Sequence, residues 1–130
     1  MTFPANRDFD YYDGDTVEFV VYPKNADGSA FSLADYTSIL FTIADQLGTN
    51  SSRNTWTATA TKFSLPDPPL GDVNDIWAID CILYPSVGIN LVPGTPYYYD
   101  VEISKGSDPT KHTYTVLKGK INVSAGVVPK

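Results

Sequence analysis

PYYYDVEISKGSDPTKHTYTVLKGKINV, residues 96–123, is the stretch on which the fold turns. Tyr97, Tyr99, Val101 and Ile103 fall on one side of an extended chain, and Tyr98, Asp100, Glu102 and Ser104 on the other, the two-residue period of a strand with one wet face. The segment from Lys105 to Thr110 concentrates turn formers, with Gly106 free to take positive φ and Pro109 fixed at negative φ. Thr113–Leu117 then resumes with β-branched and aromatic residues suited to a pleated surface. Together the two arms predict an antiparallel hairpin. Lys118-Gly119-Lys120 interrupts the second arm before Ile121, Asn122 and Val123 restore the alternation, which predicts a bend or bulge at Gly119 and a last strand beyond it.

Upstream the same logic gives further strands. Thr16–Tyr22 alternates Val17, Phe19 and Val21 against Thr16, Glu18 and Val20, and Asp27-Gly28 in the following loop supplies a tight reversal. Ser38–Ile43 predicts a strand with Ile39, Phe41 and Ile43 inward, Phe31–Tyr36 before it a half-turn of helix or a short bridging segment, and the polar stretch Asp45–Asn54 after it a loop. Thr55–Phe63 alternates threonines with Trp56, Ala58, Ala60 and Lys62 and predicts a strand. Ser64–Asp72 holds three prolines that cannot donate to a ladder, so the expectation is an exposed connection of polyproline character passing from one sheet to another. Ile76–Tyr84 is the most apolar run. Because Asp80 marks one side of it, the buried side is assigned to Trp77, Ile79, Cys81 and Leu83, with Pro85 as the stop and a short turn of helix or 3₁₀ within Ser86–Gly94.

These are about seven strands with turn signals between them in a chain of 130 residues, the size of one domain. Composition agrees: thirteen of the fifteen acidic residues are Asp, a turn former, and Tyr, Thr, Pro and Gly are abundant. The fold class expected is all-β, an immunoglobulin-like antiparallel β-sandwich, with a small β-barrel as the alternative. Residues 1–13 read as an extended amino-terminal arm that orders against a neighbour, and residues 14–130 as a single sandwich domain.

The formal charge of −6 disfavours phosphate backbones and anionic lipid, so neither nucleic acid nor a membrane is an expected partner. No apolar run reaches the length of a secretory signal or a membrane span, and the expectation is a soluble chain made in a cytoplasm. Candidate chemistry is thin. Asp8, Asp10, Asp13, Asp15 and Glu18 form the densest acidic group, yet Tyr12 and the late Gly14 break the spacing of a calcium loop, and solvated turn residues are the plainer reading. His112 is the single histidine and has no second imidazole with which to bind a metal. Asp100 and Glu102 share a strand face but face no second carboxylate of the kind a glycosidase uses. Cys81, the single cysteine, lies among Ile79, Ile82 and Leu83 and reads as a buried small side chain. No catalytic, metal or cofactor site is expected. The aromatic set Tyr11, Tyr12, Trp56, Trp77 and Tyr97 to Tyr99 could make a platform for sugar or protein, with Phe9, Tyr11, Tyr12 and Tyr98 the candidate docking residues.

Three stretches add a resemblance: GDTVEFVVYPKNADGSAFSLADYTSILFTI from Gly14, LVPGTPYYYDVEI from Leu91 and YTVLKGKINV from Tyr114. Their order resembles the small immunoglobulin-like domains of tailed-bacteriophage virions, of the baseplate upper protein, tail accessory and head decoration types. The resemblance covers about three quarters of the chain and departs from the pattern at Asp45–Asn54 and Ser64–Asp72. It implies a structural virion protein that docks onto capsid or tail and baseplate subunits in multiple symmetric copies, and no enzyme. The rival expectation is a carbohydrate-binding module for adhesion to a host surface.

Overall fold

A computed structural model describes residues 4–48, 53–67 and 72–126. Its strands are β1 (Ala5–Asn6), β2 (Phe9–Tyr12), β3 (Val17–Val21), β4 (Ser38–Ala44), β5 (Thr55–Asp67), β6 (Asp72–Leu83), β7 (Pro96–Lys105) and β8 (His112–Ser124), with one helical turn, α1 (Pro85–Gly88). The chain is therefore all-β. The strands run β1-β8-β7-β4-β5-β6-β3 in one sheet, and β2 continues along β8 beyond β1. Every pairing is antiparallel except those of β1 and β2, which lie parallel on β8, so the sheet is mixed where an antiparallel one was expected. The sheet curls on itself: Phe9 of β2 and Phe19 of β3 belong to opposite edges, yet their rings are 5.7 Å apart.

The curl runs through β5. Residues 55–58 pair with β4, residues 59–67 with β6, and the first three residues of β4 have only β7 beside them. Lys62 spans the opening. Its Nζ donates to the carbonyls of Leu33 (3.0 Å), Ala34 (3.3 Å) and Tyr36 (2.6 Å) and lies 5.8 Å from the centre of the Trp77 ring. One flexible cation thus bonds carbonyls that no strand reaches, beside the Tyr36 N–H that also donates to Leu33.

Three expectations need correction. Ser64–Asp72 is not a crossing between sheets: β5 continues to Asp67 and β6 begins at Asp72, so the two form a hairpin, while Pro68 to Gly71 lie outside the described residues. The ladder accommodates Pro66 because the register shifts between Leu65 and Asp67, a bulge being one of the few places in a sheet where a residue without an N–H fits. The bulge of β8 is not at Gly119. Val101 faces Leu117 and Glu102 faces Thr115, leaving Val116 as the extra residue, so Val116 and Leu117 are buried in succession and the alternation changes phase there. Finally, the second face of β7 is half-buried rather than wet, and its Ser104 is buried.

Elsewhere burial follows the alternation. Tyr97, Tyr99, Val101 and Ile103 are buried, as are Phe41 and Ile43 with Ile39 half-buried, and Ile79, Cys81 and Leu83 with Trp77 half-buried. At the centre Phe19, Phe41 and Tyr99 meet edge to face, with centroids 5.6 Å (Phe19–Phe41), 5.5 Å (Phe41–Tyr99) and 6.1 Å (Phe19–Tyr99) apart. Such ring pairs add about 0.5–1.5 kcal/mol each beyond the area they bury.

Candidate functional site

The most constructed feature of the molecule is the seat of the amino-terminal arm. Rather than waiting for a neighbour, the arm pairs with this chain's own last strand: Ala5 and Asn6 lie beside Leu117 and Lys118, and Phe9 to Tyr12 beside Ile121 to Ser124. Backbone bonds Arg7 N–Lys118 O (2.9 Å) and Asp13 N–Ser124 O (3.0 Å) extend the ladder, and between β1 and β2 the Asp8 carboxylate accepts from the Lys120 N–H at 2.9 Å. Asp10 accepts from the Asn122 side chain at 3.3 Å.

Three glycines make room for this segment. A Cβ at Gly119 would run into the Arg7 carbonyl and the Tyr99 ring, one at Gly88 into the Tyr11 phenol, and one at Gly126 would lie 2.8 Å from the Asp13 carbonyl. Gly119 therefore belongs to close backbone approach and not to a bulge. Tyr99 donates its hydroxyl to the Arg7 carbonyl at 2.5 Å. Burial pushes that phenol up to about 12, with the Arg7 charge opposing, so it stays protonated and able to donate. Tyr11, wholly buried, donates to the Asp15 carbonyl at 2.8 Å, and burial raises its phenol as well.

Of the four docking candidates, Tyr11 is thus inside the chain's own core. Phe9 is half-buried against Phe19 and Tyr99, Tyr98 is half-buried on the outward face of β7, and Tyr12 is 57 % exposed. The aromatic set does not assemble into one platform. Tyr97 is buried with the half-buried Trp56 against its edge, and Trp77 packs on the core beneath Lys62.

The acidic residues also have structural positions. Asp8 and Asp10 bind β8 as described, and Asp15 closes the turn after β2 through its N–H to the Tyr12 carbonyl. Among the described residues no three His, Cys, Asp or Glu side chains gather as metal ligands would. His112 opens β8 at an exposed position. Asp100 is half-buried, and loss of solvent raises its carboxyl while the Arg53 charge lowers it. The Cys81 thiol, pushed up to about 12 by burial with the Asp80 charge adding to it, is held as the inert protonated form. One pair escaped the sequence reading: Glu18 on β3 and Asp80 on β6 hydrogen-bond side chain to side chain, and Asp80 raises the Glu18 carboxyl through that bond and its charge. The two are far apart in sequence, and only strand register could have joined them.

No described helix is long and apolar enough to cross a membrane, a statement that leaves β-barrels aside. A scan against known family models finds no match to this chain, and neither does a search of curated proteins.

Proposed function

We propose that the chain is an immunoglobulin-like structural subunit of a tailed-bacteriophage virion, which docks onto capsid or tail and baseplate subunits in repeated copies and catalyses no reaction. The observation that carries this reading is the strand order. β3, β6 and the second half of β5 correspond to the B, E and D strands of an immunoglobulin sandwich, and β4, β7 and β8 to C, F and G, with β2 as a first strand moved across to lie along the last.

Side-chain positions support the correspondence. In antibody domains a disulfide links strands B and F over a Trp on strand C; here Phe19, Tyr99 and Phe41 occupy B, F and C and their rings interlock. Two residues before Tyr99, at the start of the F-like strand, the Tyr97 hydroxyl accepts from the Val92 N–H at 2.8 Å, the bond back across the E–F corner that this architecture uses. Fold alone does not fix function. The virion setting rests on the resemblance of the stretches from Gly14, Leu91 and Tyr114. Docking to other subunits is assigned to the exposed Tyr12 together with Ile89 and Val92, which follow α1 where Gly88 meets the arm.

The test is quantitative mass spectrometry of purified particles. The expected result is this chain at a fixed copy number that matches a symmetric assembly. Particles that lack the chain, or turnover of a substrate by the purified protein, would overturn the reading.

A further inference from the structure

Aspartate followed by glycine can rearrange its own backbone. Glycine has no Cβ to keep its nitrogen away from the preceding carboxyl carbon. The N–Cγ bond forms, the Cγ–OH bond breaks, and the oxygen leaves as water with the amide and acid protons. Water then reopens the succinimide ring at either carbonyl, giving back aspartate or leaving isoaspartate, whose main chain runs through the former side chain. The reaction needs an amide that can release its proton and a protonated carboxyl, because a carboxylate is a poor electrophile.

The sequence holds two such pairs, Asp13-Gly14 and Asp27-Gly28. Asp13 is half-buried beneath the arm's seat, with its N–H on the Ser124 carbonyl and its own carbonyl against Gly126. Asp27, Gly28 and Ser29, in contrast, are all exposed.

At Asp27 the closed loop withholds both requirements. The Gly28 N–H donates to the Asn25 carbonyl at 2.9 Å, which occupies the attacking nitrogen. Asp27 Oδ1 accepts from the Ser29 hydroxyl at 2.6 Å and from the Ser29 N–H at 2.9 Å. Those bonds, the hydroxyl first, favour the carboxylate and hold the Asp27 carboxyl below the ordinary aspartate range. Asn25 braces the loop, its N–H on the Ser29 carbonyl at 2.8 Å and its side-chain amide on the Ser29 hydroxyl at 3.1 Å and the Ala30 carbonyl at 3.2 Å. All these bonds join residues between Asn25 and Ala30 at the surface, so they open with the loop and not with the whole fold.

We propose that Asp27-Gly28 is a latent isomerisation site, at which Ser29 and Asn25 keep the aspartate unreactive while the loop is closed and isoaspartate forms when it opens. The product has one more main-chain atom between Asn25 and Ser29, so the backbone bond that joins them no longer closes. The loop then stays open where it leads from β3 into residues 31–36, the segment tied to Lys62.

The experiment follows residue 27 by peptide mapping with electron-transfer mass spectrometry, which separates isoaspartate from aspartate. The full chain is held at neutral pH in its native state and, as the reference, unfolded in guanidinium chloride. Isoaspartate at residue 27 is expected to accumulate in the unfolded chain and about tenfold or more slowly in the native one. Ser29→Ala, at an exposed position, removes the hydroxyl bond to the carboxylate and is expected to speed the native reaction about fivefold or more while leaving the unfolded rate unchanged. Circular dichroism verifies that the variant folds, and the native and unfolded wild-type rates decide the matter even if it does not. Equal rates in the native and unfolded chain overturn the proposal. So does the absence of isoaspartate at residue 27 from the unfolded chain, or a folded Ser29→Ala chain no faster than wild type.

Discussion

Gly119→Ala tests the arm's seat with a single methyl group. In the middle of a strand, exchanging Gly for Ala is normally favourable, since it lowers the entropy of the unfolded chain by about 0.4–1 kcal/mol in effect. Here the added Cβ collides with the Arg7 carbonyl and lies 2.9 Å from the Tyr99 ring. If the arm stays, the crowding costs about 1–3 kcal/mol. If it leaves, the chain loses the Tyr99–Arg7 hydrogen bond, about 1 kcal/mol, and the burial of Tyr11, about 2–3 kcal/mol, while the freed segment recovers backbone entropy. Both routes lead to a net loss of about 2 kcal/mol, or roughly 6–10 °C in Tm for a domain of this size. The assay is a double-mutant cycle by urea and thermal unfolding, in which Gly119→Ala is made in the full chain and in one lacking residues 1–12. Most of the cost is expected to disappear once the arm is gone, because the methyl group then meets only the edge of the Tyr99 ring. An equal cost in both backgrounds, or none in the full chain, would show that the arm does not lie against Gly119.

Three further outcomes follow from side chains described above. Lys62→Met keeps the aliphatic stem but takes the Nζ donor from the Ala34 and Tyr36 carbonyls and leaves Leu33 only its bond from the Tyr36 N–H, and is expected to cost about 1–3 kcal/mol in urea unfolding; an unchanged midpoint contradicts it. Glu18 has its carboxyl raised by Asp80, so the favourable part of the pair is complete below the ordinary glutamate value and is lost as pH rises through the raised one. Glu18→Gln is therefore expected to melt higher than wild type at neutral pH, with the difference closing in acid, and a constant difference across pH speaks against the pairing. Cys81 is expected to ignore a thiol reagent such as dithionitrobenzoate in the native chain and to react fully on unfolding, whereas immediate native reaction would show that it is not buried.

The sequence carried the strands well wherever one side of the chain met the core and the other did not. The β7 alternation and the Phe19, Phe41 and Ile79 sides were legible for that reason. It misled where an obvious breaker had another task. Gly119 drew attention as a bulge, but the phase change is made by two consecutive apolar residues, Val116 and Leu117, which no composition signal marks. Pro66 suggested an open connection because nothing local shows that a bulge can absorb it. The arm's seat was hidden because Arg7, Tyr11 and Asp13 meet Gly119, Gly88 and Gly126 only after folding, and a glycine's neighbour cannot be read from the glycine. Glu18 and Asp80 were invisible as a pair for the same reason.

A cysteine cross-link between arm and last strand gives the most direct test of the central claim, that β2 completes this fold on its own chain. Asp10 and Asn122 are register partners with exposed side chains, so Asp10→Cys with Asn122→Cys in a Cys81→Ala background places two thiols side by side. On mild oxidation and a non-reducing gel, an intramolecular disulfide is expected, forming independently of protein concentration. Failure to cross-link, or disulfides formed only between chains, would contradict it.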